Sequence, residues 1–599
     1  MKYIFIITVL FFLIKPVTAQ QAQNEWLTTY ERSNYKQTAT YNEVMDYCTR
    51  LDSASDKIKL IIMGESPRGH KIPLLVIDND GITQAADARK KNKIVFLIQS
   101  GIHAGEPEGV DASLMFARDI AIFNKYATDF SDVTLLIIPS YNVDGLNRFS
   151  AYNRINQNGP EKMGWRTNAL NLNLNRDYLK ADAPETQAWL KMFTTWLPDF
   201  FIDCHTTDGA DYQYVLTYGM ETFGNMHALQ TNWQKKVFLP YFESEMNKLN
   251  IPVFPYVTFR VWNNPESGLG ASVASPMLSQ GYTAVQNRIG FLSETHMLKD
   301  YKTRVTATYQ LLKIVLQFLH REKNNLLEIN KKVDDYSQSA EIFSKPFPVY
   351  YQQLPDSEMV SFKGVEYELK KSEITGGNYY IYHPDKPKTY QIPYFNKLEP
   401  QIFINLPQAY VFPPEWSELT SRLKYHNISF YLLQTETSIA CTMYKIVQPK
   451  LAASSYESHQ QVIDFDTEEI SISKTFPVGS IVVPVQQRSY KILVHLLEPK
   501  ADNSMFRWGF FNAIFEQKEY AETYVMEALL QKMFEQQPEL KEEFESRKKK
   551  GEFGNNQFAM TNWLYSKTEY KDTQKDIYPV AKVFDKQHFE KLIANTKSK

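Results

Sequence analysis

A histidine and a carboxylate lie three residues apart in the stretch "SGIHAGEPEG", which runs from Ser100 to Gly109 directly after the apolar run "KIVFLIQ". Zinc hydrolases commonly hold their metal with two histidines and a carboxylate, and they keep a fourth position open for water. His103 and Glu106 would supply two such ligands from one turn, and His205 in "DFFIDCHTTDG" would supply the third. The H-x-x-E spacing alone is a weak signal, because it also occurs by chance on ordinary helices.

Metal-assisted hydrolysis also needs a carboxylate that takes a proton from the water without binding the metal. Glu294 follows an apolar run in "GFLSETHMLKDY", where a charge is expected to face a cleft. The alternative is a glutamate at a strand end that lies in solvent or in an ion pair. His296, two residues further on, would share the same face and is a lesser candidate for a polar role in the site.

Arginine and asparagine side chains between the two ligand segments could hold a substrate. The stretch "GWRTNALNLNLNRDY" contains Arg166, Asn175 and Arg176. An arginine can clamp a carboxylate with two hydrogen bonds, and an adjacent amide can complete the set. A second arginine near the metal could stabilise an oxyanion. The alternative is a polar surface loop, since asparagine-rich stretches are ordinary turn material.

The elements that must position these residues alternate along residues 25–320. Short apolar runs such as "KIVFLIQS", "VTLLIIPS" and "DFFIDCH" end in turns, whereas "ADAPETQAWLKMFTTWL" and "TRVTATYQLLKIVLQFLHRE" carry apolar residues at helical spacing. This alternation predicts an α/β fold with a mixed, mainly parallel sheet covered by helices on both faces. Because ligands bind beyond the carboxyl ends of such strands, His103 and His205 are expected at the same edge.

A polar, proline-containing segment follows this pattern and predicts a domain boundary near residues 335–345. We therefore predict a catalytic domain over residues 25–335 and a C-terminal α/β or α+β accessory domain over residues 345–599. Within the latter, "PQIFINLPQAYVFPPEWSELTSRLKYHNISFYLL" indicates a strand, a helix and a strand. The stretch "YAETYVMEALLQKMFEQQPELKEEFESRKKKGEF" indicates one long charged helix.

Composition excludes several classes of protein. The chain has 599 residues, of which 43% are hydrophobic and 22% charged, as in folded globular proteins. Its net charge of -2 gives no electrostatic reason to expect nucleic acid as a partner. Three cysteines allow at most one disulfide, and no C-x-x-C motif suggests a zinc finger or a thioredoxin-type site.

The N-terminus "MKYIFIITVLFFLIKPVTAQQ" has the pattern of a secretory signal peptide over residues 1–19. Lys2 precedes an apolar core that is short for a membrane span and is interrupted by Lys15. We therefore expect an exported protein, periplasmic or extracellular, with no stable membrane span after cleavage near Gln20. A buried N-terminal strand or a membrane anchor is the alternative.

Six motifs make residues 25–320 similar to the zinc carboxypeptidase family, the carboxypeptidase A-like metallopeptidases. They occur in the family's order and at compatible spacing: "GESPRGHKIPLLVI", "HAGE", "IIPSYNVDGLNR", "NLNRDY", "DCH" and "FLSET". The resemblance implies one Zn²⁺ per chain, bound by His103, Glu106 and His205, with Glu294 as the general base.

The resemblance also implies that Asn175 and Arg176 hold the carboxylate of a peptide with a free C-terminus, and that Arg166 polarises the scissile carbonyl. The chain departs from the family pattern in several respects, one of which is that Arg166 lies closer in sequence to Asn175 than in the family. His70 replaces the arginine that usually follows the glycine of the first motif, and Asn173 replaces an aspartate that often orients the first zinc histidine.

The leading interpretation is an exported zinc-dependent metallocarboxypeptidase. One alternative is a zinc amidohydrolase of the same fold that acts on acylated amino acids or cell-wall peptides. Another is a non-catalytic protein that binds peptide or glycan. The tyrosine that closes over substrate in the family has two candidates here, Tyr256 and Tyr282.

Overall fold

The computed structural model describes residues 24–598 and divides into two compact units. The first unit comprises the residues up to Asp334 together with Tyr351–Pro400, and the second comprises Asp335–Tyr350 together with the residues from Gln401 onward. The predicted signal peptide, residues 1–19, lies outside the described residues.

An eight-stranded sheet forms the centre of the first unit. The strands of this unit up to residue 296 are β1 (Ile58–Glu65), β2 (Lys71–Ile77), β3 (Ile94–Ser100), β4 (Val133–Ile138), β5 (Phe200–Thr207), β6 (Leu216–Met220), β7 (Val253–Pro255), β8 (Leu269–Gly270) and β9 (Ile289–His296). All except β8 belong to the sheet, in the order β1-β2-β4-β3-β5-β9-β6-β7.

The middle of the sheet is parallel and its margins are partly antiparallel. Strand β3 pairs in parallel with β4 and β5, and β5 pairs in parallel with β9, whereas β2 and β6 join the sheet in antiparallel fashion. Every residue of β3, β4, β5 and β9 is buried, so both faces are covered. The predicted mixed, mainly parallel α/β sheet is confirmed.

Helices cover this sheet. They are α1 (Thr29–Arg32), α2 (Tyr41–Ala54), α3 (Ala85–Lys90), α4 (Glu108–Ala121), α5 (Val143–Asn147), α6 (Pro184–Trp196), α7 (Ala228–Trp233), α8 (Leu239–Lys248), α9 (Ser279–Val285) and α10 (Tyr301–Ser337). Helix α2 shows why they form, because Thr40 and Glu43 make a reciprocal capping box at its start. Val44, Tyr47, Cys48 and Leu51 then fall on one buried face at helical spacing.

Helix α10 ends at Ser337 and therefore extends past residue 335, where the sequence pattern predicts the start of the domain boundary. Among residues 24–598 no helix, α10 included, combines the length and the hydropathy that a membrane crossing requires.

A long hairpin belongs to the first unit although it follows the predicted boundary. It is formed by β11 (Glu358–Lys371) and β12 (Asn378–Phe395), and β10 (Phe347–Gln353) and β13 (Leu398–Ile404) flank it. Phe362 and Ile392 of the hairpin lie in one hydrophobic cluster with Tyr212, Tyr214 and Leu269. The two compact units therefore differ from the predicted domains, of which the second was residues 345–599. The hairpin belongs to the first unit because its side chains are buried against that unit.

The second unit contains a seven-stranded sheet in which every pairing is antiparallel, so its class is α+β. Its strands are β14 (Ala409–Phe412), β15 (Tyr431–Leu433), β16 (Thr437–Leu451), β17 (Val462–Phe476), β18 (Ile481–Pro484), β19 (Ala581–Val583) and β20 (Thr596–Ser598). Its helices are α11 (Leu419–Tyr425), α12 (Tyr490–Leu497), α13 (Thr523–Gln536), α14 (Pro538–Lys549), α15 (Gln557–Tyr565) and α16 (Lys586–Ala594).

The predicted single charged helix in this unit is wrong. It is two helices, α13 and α14, because Pro538 has no backbone N–H to continue the hydrogen-bond pattern and instead begins a new helix.

The buried carboxyl of Asp111 in α4 should make the stability of the first unit pH-dependent. Burial raises the pKa of Asp111 to about 7, although the Tyr301 hydroxyl donates a hydrogen bond to it. The folded chain then keeps this proton up to about pH 7, whereas an unfolded aspartate releases it near pH 4, so the free energy of unfolding falls between those values as pH rises. Asp111→Asn keeps an acceptor for Tyr301 and removes the ionisation.

We expect Asp111→Asn to flatten the fall in the free energy of unfolding between about pH 4 and pH 7, measured by urea denaturation. Asp87→Asn, at an exposed position of α3, is the matched control and should retain the wild-type slope. An unchanged slope in Asp111→Asn would contradict this assignment.

Candidate metal and substrate site

The turn after β3 brings His103 and Glu106 to the carboxyl edge of the sheet. Gly101 begins this turn with a φ of 65°, in the left-handed region that favours glycine. At Gly109, where α4 begins, a Cβ atom would lie 2.5 Å from Cβ of Cys204. The glycines that flank this motif therefore let the helix start close against the buried strand β5.

His103, Glu106 and His205 come together as the sequence predicts. One ligand atom from each lies within 4.8 Å of the others, and all three side chains are buried. Nδ1 of His103 lies 3.1 Å from the Glu106 carboxylate, and Nδ1 of His205 also lies 3.1 Å from it. Zinc bonds of about 2.0–2.2 Å in tetrahedral geometry put neighbouring ligand atoms roughly 3.3 Å apart, so the spacing fits a zinc ion.

The far nitrogen of each histidine has its own acceptor. Nε2 of His103 lies 3.0 Å from Oδ1 of Asn173, and Nε2 of His205 lies 2.7 Å from Oδ2 of Asp203. The backbone N–H of Asn175 also donates to Oδ1 of Asn173, which fixes this amide with its oxygen toward His103. Nε2 of each histidine thereby faces an acceptor, and Nδ1 faces the Glu106 carboxylate, where the neutral ring would offer its lone pair to a cation.

The electrostatics of this group are those of desolvated ligands. Burial alone would raise the pKa of Glu106, but His103 and Arg154 outweigh it and hold this pKa well below its usual value. Burial lowers the pKa of His103, whereas Asp203 overcomes the effect of burial and holds the pKa of His205 well above its usual value. The donor set is two imidazoles and one ionised carboxylate, which suits Zn²⁺.

Glu294 lies beside His205 because strands β5 and β9 pair in register. His205 is directly opposite Glu294 in this parallel pairing, so the two side chains project from the same face at the same edge. Burial raises the pKa of Glu294 to about 8, with His205 opposing and the Glu106 carboxylate adding to the shift. This carboxyl lines the cleft next to the ligand group without being part of it.

Two arginines lie close to Oε1 of Glu106, and only one of them, Arg166, is predicted from the sequence. Arg166 lies 3.4 Å from Oε1 of Glu106 with 43% of its side chain exposed. Arg154 lies 3.1 Å from the same oxygen with 13% exposed. The sequence "AYNRINQ" has no spacing that identifies Arg154 as a site residue. Its position becomes known only from the structure, in which the loop that contains it passes the site. Asp203 was missed too, although its position two residues before His205 in a strand puts it on the same face.

Asn175 and Arg176 line the same cleft, as predicted. Oδ1 of Asn175 accepts a hydrogen bond from the backbone N–H of Ser279, and Nη1 of Arg176 donates to the Asn175 carbonyl at 2.7 Å. The cleft has a volume of about 830 Å³. The charged or ionisable lining residues are His103, Glu106, Arg154, Arg166, Arg176, His205, Asp208 and Glu294.

The other residues that line the cleft are neutral. The lining residues from 218–223 and 270–280 are all uncharged, and Leu239, Pro255 and Leu292 add apolar surface. This part of the cleft suits an uncharged side chain.

The structure separates the two tyrosine candidates and accounts for His296. Tyr256 lines the cleft and is 39% exposed, whereas Tyr282 is fully buried and stacks on Tyr178. His296 is buried away from the cleft, with Nε2 3.0 Å from the Ala210 carbonyl oxygen and its ring against Tyr212. Of these two candidates, Tyr256 is therefore the one available to a substrate, and His296 has a structural role.

His70, which departs from the family pattern, also has a partner. Its Nδ1 lies 2.7 Å from Oδ1 of Asp144, the aspartate of the "NVDG" turn. Ser66 donates to the same oxygen at 2.6 Å. The contact ties the first motif to the third, and none of these side chains lines the cleft.

Parts of the chain are similar to known carboxypeptidases. Residues 44–220 match the family model described as zinc carboxypeptidase. The chain is 20% identical over 462 residues to carboxypeptidase 2 of Trichophyton rubrum, which covers 74% of this chain and 79% of that protein. Among solved structures, carboxypeptidase A of Helicoverpa armigera is 16% identical, covering 51% of this chain and 81% of that one, with a TM-score of 0.36. A metallo-carboxypeptidase of Burkholderia cenocepacia is 15% identical, covering 46% and 68%, with a TM-score of 0.34.

Residues 44–220 thus match a zinc carboxypeptidase domain, and the members of that family depend on zinc. The expectation of a zinc metallopeptidase is confirmed by this match and by the relatives named carboxypeptidase. The matched segment contains all three candidate metal ligands together with Arg166, Asn175 and Arg176, and it ends before Glu294.

The acceptors behind the histidines should set the zinc affinity. Removal of such an acceptor typically weakens metal binding about 10- to 100-fold, so Asp203→Ala should do so here. Asn173→Asp should bind zinc more tightly than the wild type, because a carboxylate accepts the His103 N–H more strongly than an amide does. Competition with a chromogenic chelator measures both dissociation constants.

Asn171→Asp is the matched control, because it adds the same charge two residues away at an exposed position. Equal tightening by Asn171→Asp and Asn173→Asp would mean that general electrostatics, and not the bond to His103, is responsible.

Proposed function

We propose that this protein is an exported zinc metallocarboxypeptidase that hydrolyses the C-terminal peptide bond of peptides. The observation that carries the proposal is a single cleft that joins three parts: the His103, Glu106 and His205 group, the Glu294 carboxyl, and the Asn175 and Arg176 pair. Hydrolysis at a free C-terminus needs a metal-ligand set, a proton acceptor and a carboxylate anchor, and each part supplies one of them.

His103, Glu106 and His205 would hold the zinc ion, which when bound lowers the pKa of water and polarises a carbonyl. Glu294 takes the proton of the attacking water and later delivers it to the leaving amine. Its burial suits the second step, because burial raises the pKa of Glu294 and so makes the protonated carboxyl a competent acid near neutral pH. Arg166 stabilises the oxyanion that forms on the attacked carbonyl.

Arg176 and Asn175 determine which end of a peptide is cut. A guanidinium and a side-chain amide together match the hydrogen-bonding needs of a carboxylate, so a free C-terminus is bound there. The neutral part of the cleft then receives the C-terminal side chain. We propose that uncharged C-terminal residues are preferred, because a charged one would be desolvated against apolar lining.

The experiment that tests this function compares the wild type with His103→Ala and Glu294→Gln, each assayed for zinc content and for release of C-terminal residues from free-acid peptides. His103→Ala should lose both zinc and activity. Glu294→Gln should keep about one zinc per chain, because it retains every ligand, and should lose activity by roughly 100- to 10,000-fold. Zinc binding without any cleavage of peptides by the wild type would overturn the proposal.

Peptides with an amidated C-terminus provide the control for the carboxylate anchor. Wild type should prefer the free acid, and Arg176→Met should reduce that preference by roughly 10- to 150-fold, the worth of a hydrogen bond to a charged group. Greater activity of the wild type on blocked C-termini or on acylated amino acids would favour the amidohydrolase alternative.

The proposed export rests on the N-terminal pattern alone. Expression of the whole chain with its N-terminus intact should yield a mature protein outside the cytoplasm that begins near Gln20, as read by N-terminal sequencing. Recovery of the protein with Met1 still attached would contradict export by cleavage.

A further inference from the structure

The hairpin formed by β11 and β12, residues 358–395, reaches the substrate cleft although it follows the catalytic residues in the chain. Its strand β12 ends beside β8, with Tyr394 opposite Leu269 and Phe395 opposite Gly270 in parallel register. The N–H of Ala271 donates to the Phe395 carbonyl at 3.0 Å. Gly270 and Ala271 line the cleft, so the hairpin is bonded directly to a wall of the substrate site.

Two side chains of β10, which precedes the hairpin, also form hydrogen bonds to residues in or next to the cleft lining. Nε2 of Gln353 donates to the carbonyls of Ala271 and Phe395, each at 3.0 Å, and so joins the wall to the hairpin. The Tyr351 hydroxyl donates to the Gly224 carbonyl at 3.1 Å, next to the lining residue Phe223. The guanidinium of Arg260 lies 4.1 Å from the centre of the Phe395 ring.

Tyr394 itself faces the cleft. It is the one lining residue that comes from beyond residue 297 in the described part of the chain, and the lining residues within 218–223 and 270–280, which include Tyr218 and Gly270, are uncharged. Its aromatic ring provides a large apolar surface with a polar tip, which suits contact with a bulky uncharged side chain. None of these lining residues is charged, so apolar contact is the interaction with which they can discriminate between substrates.

We infer that Tyr394 is a specificity-determining residue that selects bulky apolar C-terminal side chains, and that Gln353 is the residue that positions it and its wall. The inference rests on the proposed carboxypeptidase function. It makes the hairpin a part of the substrate site, with the catalytic groups on the sheet edge and one selective surface on β12.

The test measures kcat and KM of the full-length protein on two free-acid peptides that differ only in a C-terminal Phe or Ala. Tyr394→Ala should lower kcat/KM for the Phe peptide by about tenfold and leave the Ala peptide within about twofold, because only the larger side chain loses contact surface. Gln353→Met should raise KM for the Phe peptide with kcat unchanged, since it loosens the wall and touches no reacting atom.

Tyr379→Ala is the matched control, because Tyr379 lies on the same strand, is 46% exposed and is absent from the cleft lining. It should behave as the wild type on both peptides. An equal loss on both peptides in Tyr394→Ala, or no change on either, would overturn the inference.

Binding of a fluorescent peptide that ends in Phe to Glu294→Gln, with and without Tyr394→Ala, gives a second readout that needs no turnover. Weaker binding in the double variant supports the inference, and unchanged binding overturns it. Failure of the wild type to cleave any peptide would instead be a failure of the proposed function, so the two outcomes are distinguishable.

Discussion

The parallel pairing of β3 with β5 and of β5 with β9 is the constraint on which the site depends. Ser100 lies opposite Cys204, and His205 lies opposite Glu294, so three strands end at one edge in a fixed register. A slip of one residue would turn His205 or Glu294 to the other face of the sheet. The pairing is therefore what makes distant parts of the chain into one chemical group, and full burial of both faces keeps it from slipping.

The same burial makes the site costly for the fold. Glu106 in the turn after β3, Asp203 on β5 and Glu294 on β9 are all buried carboxyl groups, and carboxylates without compensation are expensive to bury. Arg154 and the two histidines offset part of this cost through ion pairs and hydrogen bonds. A divalent cation would offset more, and because the ligands converge only in the folded chain, its binding energy would also be folding energy.

The sequence predicts the site better than the second half of the fold, for a physical reason. Metal ligands and a general base require particular residue types at strand ends, so His103, Glu106, His205 and Glu294 stand out from apolar runs. Nothing in the sequence distinguishes Arg154 or the hairpin in this way. They reach the cleft only because the folded chain brings residues that are distant in sequence back to it. The split of the predicted helix at Pro538 could have been foreseen, since a proline cannot continue a helical hydrogen-bond pattern.

Asn173 shows how a departure from a family pattern can keep the geometry while changing its strength. The amide oxygen occupies the place of a carboxylate oxygen, and the N–H of Asn175 holds it there by a backbone bond that needs no charge. His103 is thus oriented as firmly as His205, yet its ring is polarised less, because the acceptor of His205 is the charged Asp203. The two imidazoles are therefore unequal donors, and the stronger one lies on the strand that also neighbours Glu294.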